Sequence, residues 1–196
     1  MADLKIGLLG GSFNPAHQGH RDITLAALRR LGLDQVWWLV TPGNPLKRTG
    51  SYAAYDKRIA EAQHVANHPQ IHVSDFEQRH QLRFTVDTLG ALKMRFPRTS
   101  FVWLMGADSL AGFHRWKSWR DIGQAVPFAV FNRPGHLLPA LSSPAAHAFA
   151  KRRLPEAAAK TLPYLSGGHW TMVTGTANPQ SATALRAARP RWVSSD

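Results

Sequence analysis

Two histidines three residues apart close the run Gly10-Gly11-Ser12-Phe13-Asn14-Pro15-Ala16-His17-Gln18-Gly19-His20. The run follows an apolar segment, residues 4–9, that reads as a buried strand broken by paired glycines at a tight turn. Beyond it, Ile23, Leu25, Ala26, Leu28 and Leu31 keep helical spacing, which predicts a helix over residues 19–31. His17 and His20 then stand at i and i+3 on its first turn, facing the same way. Backbone N–H groups and the helix dipole already favour an anion at that end of a helix. Two imidazoles beside such donors suit a phosphate. On the residues alone two other readings stay open: surface histidines on an ordinary helix, and a zinc site, although the chain has no cysteine and no further ligand near the pair.

A second run, Asn178-Pro179-Gln180-Ser181-Ala182-Thr183-Ala184-Leu185-Arg186, puts two hydroxyls at a helix start and an arginine one turn on. Ser181 can cap such a helix and leave neighbouring N–H groups for an oxyanion. Arg186, three residues after Thr183, can add a bidentate fork to a phosphate. Taken alone, an ordinary capped surface helix explains this run as well.

The first run resembles the nucleotidyltransferase signature G-G-[ST]-F-[DN]-P-x-H-x-G-H, and the second its I-S-[SA]-T-x-I-R element, with Gln180 and Leu185 in place of the usual isoleucines. Three further segments narrow the resemblance. Asn44-Pro45-Leu46-Lys47 is close to P-P-H-K. Phe84-Thr85-Val86-Asp87-Thr88-Leu89 looks like Y-T-x-x-T-L. Gly106-Ala107-Asp108-Ser109-Leu110, with Trp116 and Trp119, looks like G-x-D-S-[LF]…W-x-x-[WY]. Over residues 5–186 the chain resembles the bacterial nicotinate-nucleotide adenylyltransferases. That family joins nicotinate mononucleotide to ATP, giving deamido-NAD and pyrophosphate.

The resemblance implies a role for each matching residue. His17, His20, Lys47 and Arg186 would form the catalytic set. His20 would contact the α-phosphate, His17 would orient the triphosphate, and the two cations would neutralise charge. Gly10, Gly11, Ser12, Phe13, Gly106, Asp108, Ser181 and Thr183 would complete the ATP site with His17, His20 and Arg186. Asn14, Lys47, Thr85, Trp116 and Lys117 would meet nicotinate mononucleotide, with Trp116 stacked on the pyridine ring. Without the resemblance, Asp108 reads equally as a helix cap and Trp116 as a core residue. Nicotinamide mononucleotide and 4′-phosphopantetheine are the alternative acceptors.

The chemistry asks for little proton transfer. A phosphate monoester has a second pKa near about 6, so the attacking phosphate is mostly dianionic at neutral pH and needs no general base. What it does need is alignment of two repelling anions and stabilisation of charge on the α-phosphate and the leaving pyrophosphate. Mg²⁺ would arrive with ATP, bridging its oxygens rather than sitting in a protein cage.

The elements that must position these residues alternate. Strands are predicted over residues 4–9, 36–40, 71–73, 100–105, Phe128–Phe131 and Trp170–Val173, and helices over 19–31, 55–67, 85–96 and 181–188. Alternation of this kind predicts an α/β, Rossmann-like, doubly wound and mostly parallel sheet with helices on both faces, and ligands at the carboxyl ends of its strands. Residues 134–165 read as a helical excursion, and residues 187–196 as a short polar tail. At 196 residues the chain suits a single domain over 1–196, and 44% apolar against 18% charged residues excludes a disordered one.

The net charge of +12 attracts anions. A basic nucleic-acid-binding protein is a remote alternative, since the basic residues are scattered and match no recognised module. No apolar stretch approaches the length of a membrane span. The lack of an export signal makes the cytoplasm the expected compartment.

Overall fold

The computed structural model describes residues 4–43, 52–175 and 182–188. Strand β1 (Lys5–Gly11) leads into helix α1 (Gln18–Leu31), then β2 (Gln35–Val40), α2 (Tyr55–Ala66) and β3 (Ile71–Ser74). A four-residue helix α3 (Phe76–Arg79) precedes α4 (Thr85–Arg95), β4 (Ser100–Gly106), α5 (Ala107–Gly112), α6 (Trp119–Ala125) and β5 (Phe128–Phe131). The chain continues through α7 (Leu137–Leu141), α8 (Pro144–Ala148), β6 (Arg153–Leu154), a 3-10 segment (Glu156–Tyr164), β7 (Trp170–Val173) and α9 (Ala182–Ala188).

The seven strands form one sheet in the order β3-β2-β1-β4-β5-β7-β6, and every pair is parallel. Parallel strands buried on both faces read as continuous apolar runs, and β1, β2 and β4 are such runs. Ile6, Leu8, Phe101, Trp103, Phe128 and Trp170 face a layer built from α3 to α8. Leu9, Val36, Trp38, Val102, Leu104 and Val173 face α1, α2 and the 3-10 segment. The sheet is the predicted doubly wound, Rossmann-like one. Winding reverses between β1 and β4, so a crevice opens beyond their carboxyl ends, where such sheets bind ligands.

Four expectations change. The paired glycines do not break β1: Gly10 and Gly11 stay in register with Leu39 and Val40, and the turn starts after them. Helix α1 begins at Gln18, so His17 is its N-cap with extended backbone and only His20 lies inside the first turn. The stretch 134–165 is only partly helical. Arg153–Leu154 adds a two-residue strand at the sheet edge beside β7, which makes Trp170–Val173 the seventh strand and not the sixth. Residues 187 and 188 belong to α9, so the predicted tail is helical where it starts.

Candidate active site

The turn between β1 and α1 lies at the crevice. Phe13 takes a left-handed backbone at φ +44°, a costly conformation for a bulky residue that a surrounding structure must impose. Its ring stacks on buried Trp38 with centroids 5.0 Å apart and lies 4.7 Å from the His20 ring. Trp38 also donates from Nε1 to Thr24 Oγ1 at 2.7 Å, and that hydroxyl donates to the His20 carbonyl at 2.9 Å. A fully buried indole on β2 therefore holds the first turn of α1 from below.

The two imidazoles are 3.8 Å apart between centroids. His17 is 4% exposed, and its Nδ1 has no hydrogen-bond partner among the described residues. A buried ring nitrogen without a protein partner calls for an explanation, and a functional role is one of those open to it. Gly19 sits between them for a steric reason: a Cβ there would stand 3.0 Å from Cε1 and Nδ1 of the His17 ring. Burial, then the nearby Arg133 charge, lowers the His17 pKa to about 4. Burial, His17 and Arg133, in that order, push His20 well below the ordinary histidine value. At neutral pH both rings are therefore uncharged hydrogen-bonding groups.

The sequence reading missed Arg133, just beyond β5. Its guanidinium lies 3.6 Å from Asp108 Oδ2 and would meet a Cβ built on Gly19 at 3.5 Å, and its Cδ would meet one on Gly106 at 3.6 Å. Arg133 thus bridges the end of β4 and the start of α1 across the crevice. In sequence it stands before Pro134-Gly135, a pair that marks a turn. Only the sheet order brings it to the histidines. Asp108 lies in the first turn of α5, whose N-cap is Gly106, so it does not occupy the capping position.

Arg186 on α9 donates from Nη1 to the Asn14 carbonyl at 2.6 Å, and so reaches the same turn from 172 residues away. Asn14 is 2% exposed, and its Oδ1 accepts the Ala53 N–H at 3.1 Å. Lys47 and Ser181, both expected at the site, lie outside the described residues, and Thr183 sits in α9. Ser12 presents its carbonyl to Arg58 at 2.7 Å.

Of the residues expected to meet the acceptor, Thr85, Trp116 and Lys117 lie in a second cluster beside the first. Lys117 Nζ lies 4.2 Å from the centroid of Phe84, the residue before Thr85, and 3.8 Å from Asp87 Oδ2. Trp116 is half-buried and packs edge-on against Trp103 at 6.3 Å and Phe113 at 5.3 Å. Trp103 in turn lies over Gly10, where a Cβ would come within 2.6 Å of Cη2. The contact chain Gly10–Trp103–Trp116 joins this second cluster to the turn after β1. Trp116 therefore has both a core contact and a partly open face.

The site holds cations, neutral imidazoles and the N-terminus of a 14-residue helix, all suited to phosphate oxygens. The family model described as cytidylyltransferase-like matches residues 8–188. The chain belongs to the cytidylyltransferase-like family. Among relatives in this family is a protein of Parvibaculum lavamentivorans named probable nicotinate-nucleotide adenylyltransferase, 52% identical over 183 residues, covering 93% of this chain and 91% of the relative. A Bradyrhizobium protein of the same name is 50% identical over 191 residues, 97% of this chain and 100% of its own length. In fold, the chain is similar to Plasmodium falciparum nicotinic acid mononucleotide adenylyltransferase complexed with NaAD. That likeness has a TM-score of 0.68 at 16% identity and covers 94% of this chain and 83% of the other. At such identity it speaks for the fold alone, and the curated relatives carry the closer likeness within the family.

Proposed function

We propose that this protein transfers the adenylyl group of ATP to the 5′-phosphate of nicotinate mononucleotide, giving deamido-NAD and pyrophosphate. The relatives that match it at about half identity over nearly their whole length carry that name. The observation on the molecule itself that carries the reading is the meeting of His17, His20, Arg133 and the Arg186–Asn14 contact around one helix N-terminus at the winding switch.

In the reaction an oxygen of the acceptor's phosphate dianion attacks the α-phosphorus of ATP in line. The bond from that phosphorus to the oxygen bridging to the β-phosphate breaks, and pyrophosphate leaves with its electron pair. No proton has to be removed from the nucleophile. His20 donates from Nε2 to an α-phosphate oxygen as its charge builds, and His17 and Arg133 hold the β- and γ-phosphates. Arg186 braces the Asn14 turn and adds positive charge near the leaving group. Trp116 offers its open face to the pyridine ring, and the start of α4 with Lys117 receives the nicotinate carboxylate.

Lys47, Ser181 and Thr183 enter this reading through their sequence match alone. The imidazoles and guanidinium groups here are donors to anions rather than the oxygen ligands Mg²⁺ takes, so the ion fits as a companion of the triphosphate oxygens. Bound in that way it would lower the charge the acceptor must approach. The compartment that fits such phosphorylated substrates is the cytoplasm, and no helix among the described residues is long and apolar enough to cross a membrane.

The test is pyrophosphate release from Mg-ATP with nicotinate mononucleotide, nicotinamide mononucleotide or 4′-phosphopantetheine, with His20→Ala as control. Fast release with the acid mononucleotide, slow release with the other two and loss in the variant support the reading. Release with 4′-phosphopantetheine alone, or with none, refutes it.

A further inference from the structure

Arg58 on α2 is 1% exposed and has no ion-pair partner among the described residues. A buried guanidinium without a carboxylate is costly unless its donors are all engaged. Here backbone carbonyls engage four of the five. Nη1 donates to Ser12 O at 2.7 Å and to Thr41 O at 2.8 Å; Nη2 donates to Pro42 O at 3.0 Å and Nε to Ala53 O at 3.2 Å. The rings of Tyr52 and Tyr55 take the remaining charge at 5.3 and 5.1 Å.

These four carbonyls belong to three separate pieces of chain: the phosphate turn after β1, the exit of β2, and the segment that enters α2. The same pieces are tied at two further points, by Thr41 N–H to Gly11 O at 3.0 Å and by Ala53 N–H to Asn14 Oδ1 at 3.1 Å. The Ser12 carbonyl belongs to the peptide unit that enters Phe13, the residue at φ +44°. In a trans peptide the N–H points opposite to the C=O, so holding Ser12 O towards Arg58 aims the Phe13 N–H away from it. That N–H makes no hydrogen bond among the described residues.

We propose that Arg58 is a positioning residue, which touches neither substrate and fixes the phosphate turn against the exit of β2, so that the bound triphosphate and the acceptor phosphate meet in line. The role rests on the adenylyl-transfer reading above. A planar fork reaching carbonyls in several directions is what lysine, a single point of charge, does not reproduce.

The experiment measures kcat and both KM values for the full-length protein, Arg58→Lys and Arg58→Ala, with folding followed by near-UV circular dichroism. Misplacement of reacting groups by about 1 Å costs on the order of 100-fold, so each folded variant is expected to lose about that factor in kcat while each KM moves less than about threefold. The wild-type rate tests the functional reading by itself, and the ratio of variant to wild type tests Arg58. A folded lysine variant with kcat within about threefold of wild type overturns the proposal, where about 100-fold is expected. So does a loss that only follows the folded fraction, a rise in both KM values with kcat kept, or the failure of both variants to fold, since each assigns Arg58 to the fold alone.

Discussion

The backbone N–H of His17 donates to Nδ1 of His20 at 3.2 Å, and this contact decides where the neutral His20 ring keeps its proton. With Nδ1 accepting, the proton sits on Nε2, the nitrogen turned away from the helix cap. His20 is then a fixed donor for an anion, with no change of tautomer needed. Glutamine places an amide near the position of Nε2, whereas asparagine places one near Nδ1. His20→Gln is expected to keep more turnover than His20→Asn or His20→Ala, the last losing about 10²–10³ in kcat as for other donors aimed at transition-state charge. Steady-state kinetics of the three variants decides, and equal losses in all would remove Nε2 from the mechanism.

Because burial lowers the His17 pKa to about 4, that ring stays largely neutral as the pH falls from 8 to about 5, and burial holds His20 towards its neutral form as well. The acid limb of kcat/KM for the acceptor then belongs to the substrate, whose phosphate takes up its proton near about pH 6. A phosphonate acceptor with a higher second pKa should move the limb upward, and His17→Asn should leave it in place at a lower rate. A limb that follows the His17 variant and ignores the phosphonate would show that a histidine titrates instead.

Arg133 is the charge that both histidines feel. Replacing it with glutamine removes a cation that disfavours protonation of either ring, so both pKa values are expected to rise, His17 starting from about 4. The same change removes a charge-assisted contact to phosphate, worth roughly ten- to a hundredfold in affinity. Imidazole proton shifts followed by NMR against pH, together with the KM for ATP, measure both effects. If the rings hold their values in Arg133→Gln, burial alone accounts for their neutrality.

The contrast between His20 and Arg133 shows what local sequence carries. The glycine pair, the H-x-G-H spacing and the apolar periodicity of α1 are written within about twenty consecutive residues, and helical geometry turns that spacing into a shared turn. Arg133 lies more than a hundred residues away and meets the histidines only because β4 and β5 pair on the far side of β1. Arg58 was hidden differently. It sits among Tyr55, Asp56 and Lys57 on a helix whose polar positions look solvated, and only the fold shows it turned inward onto carbonyls. The two-residue strand Arg153–Leu154 is too short to show a period at all. Trp38 and Thr24 read as core and helix residues, and their line to the His20 carbonyl appears only once β2 packs under α1.

Glu77 is a buried carboxyl at 6% exposure on α3, and it joins the two halves of the site at a distance from the chemistry. It accepts from Thr88 Oγ1 on α4 at 2.9 Å, and Thr41 at the exit of β2, whose hydroxyl donates to the Gly43 carbonyl at 3.2 Å, also favours its charged form. Burial raises its pKa, and the two threonines only partly offset that shift. With the folded value above the unfolded one, the folded protein holds the proton more tightly, so stability falls as pH rises from the unfolded carboxyl value through the raised folded one. Glu77→Gln keeps the acceptor for Thr88 and carries no charge. Its stability relative to wild type should therefore increase with pH across that window and level off above it. Urea midpoints for both proteins from pH 4 to 8 measure the difference. A difference independent of pH would mean that Glu77 ionises at the ordinary carboxyl value, with its two threonine contacts meeting the whole cost of burial.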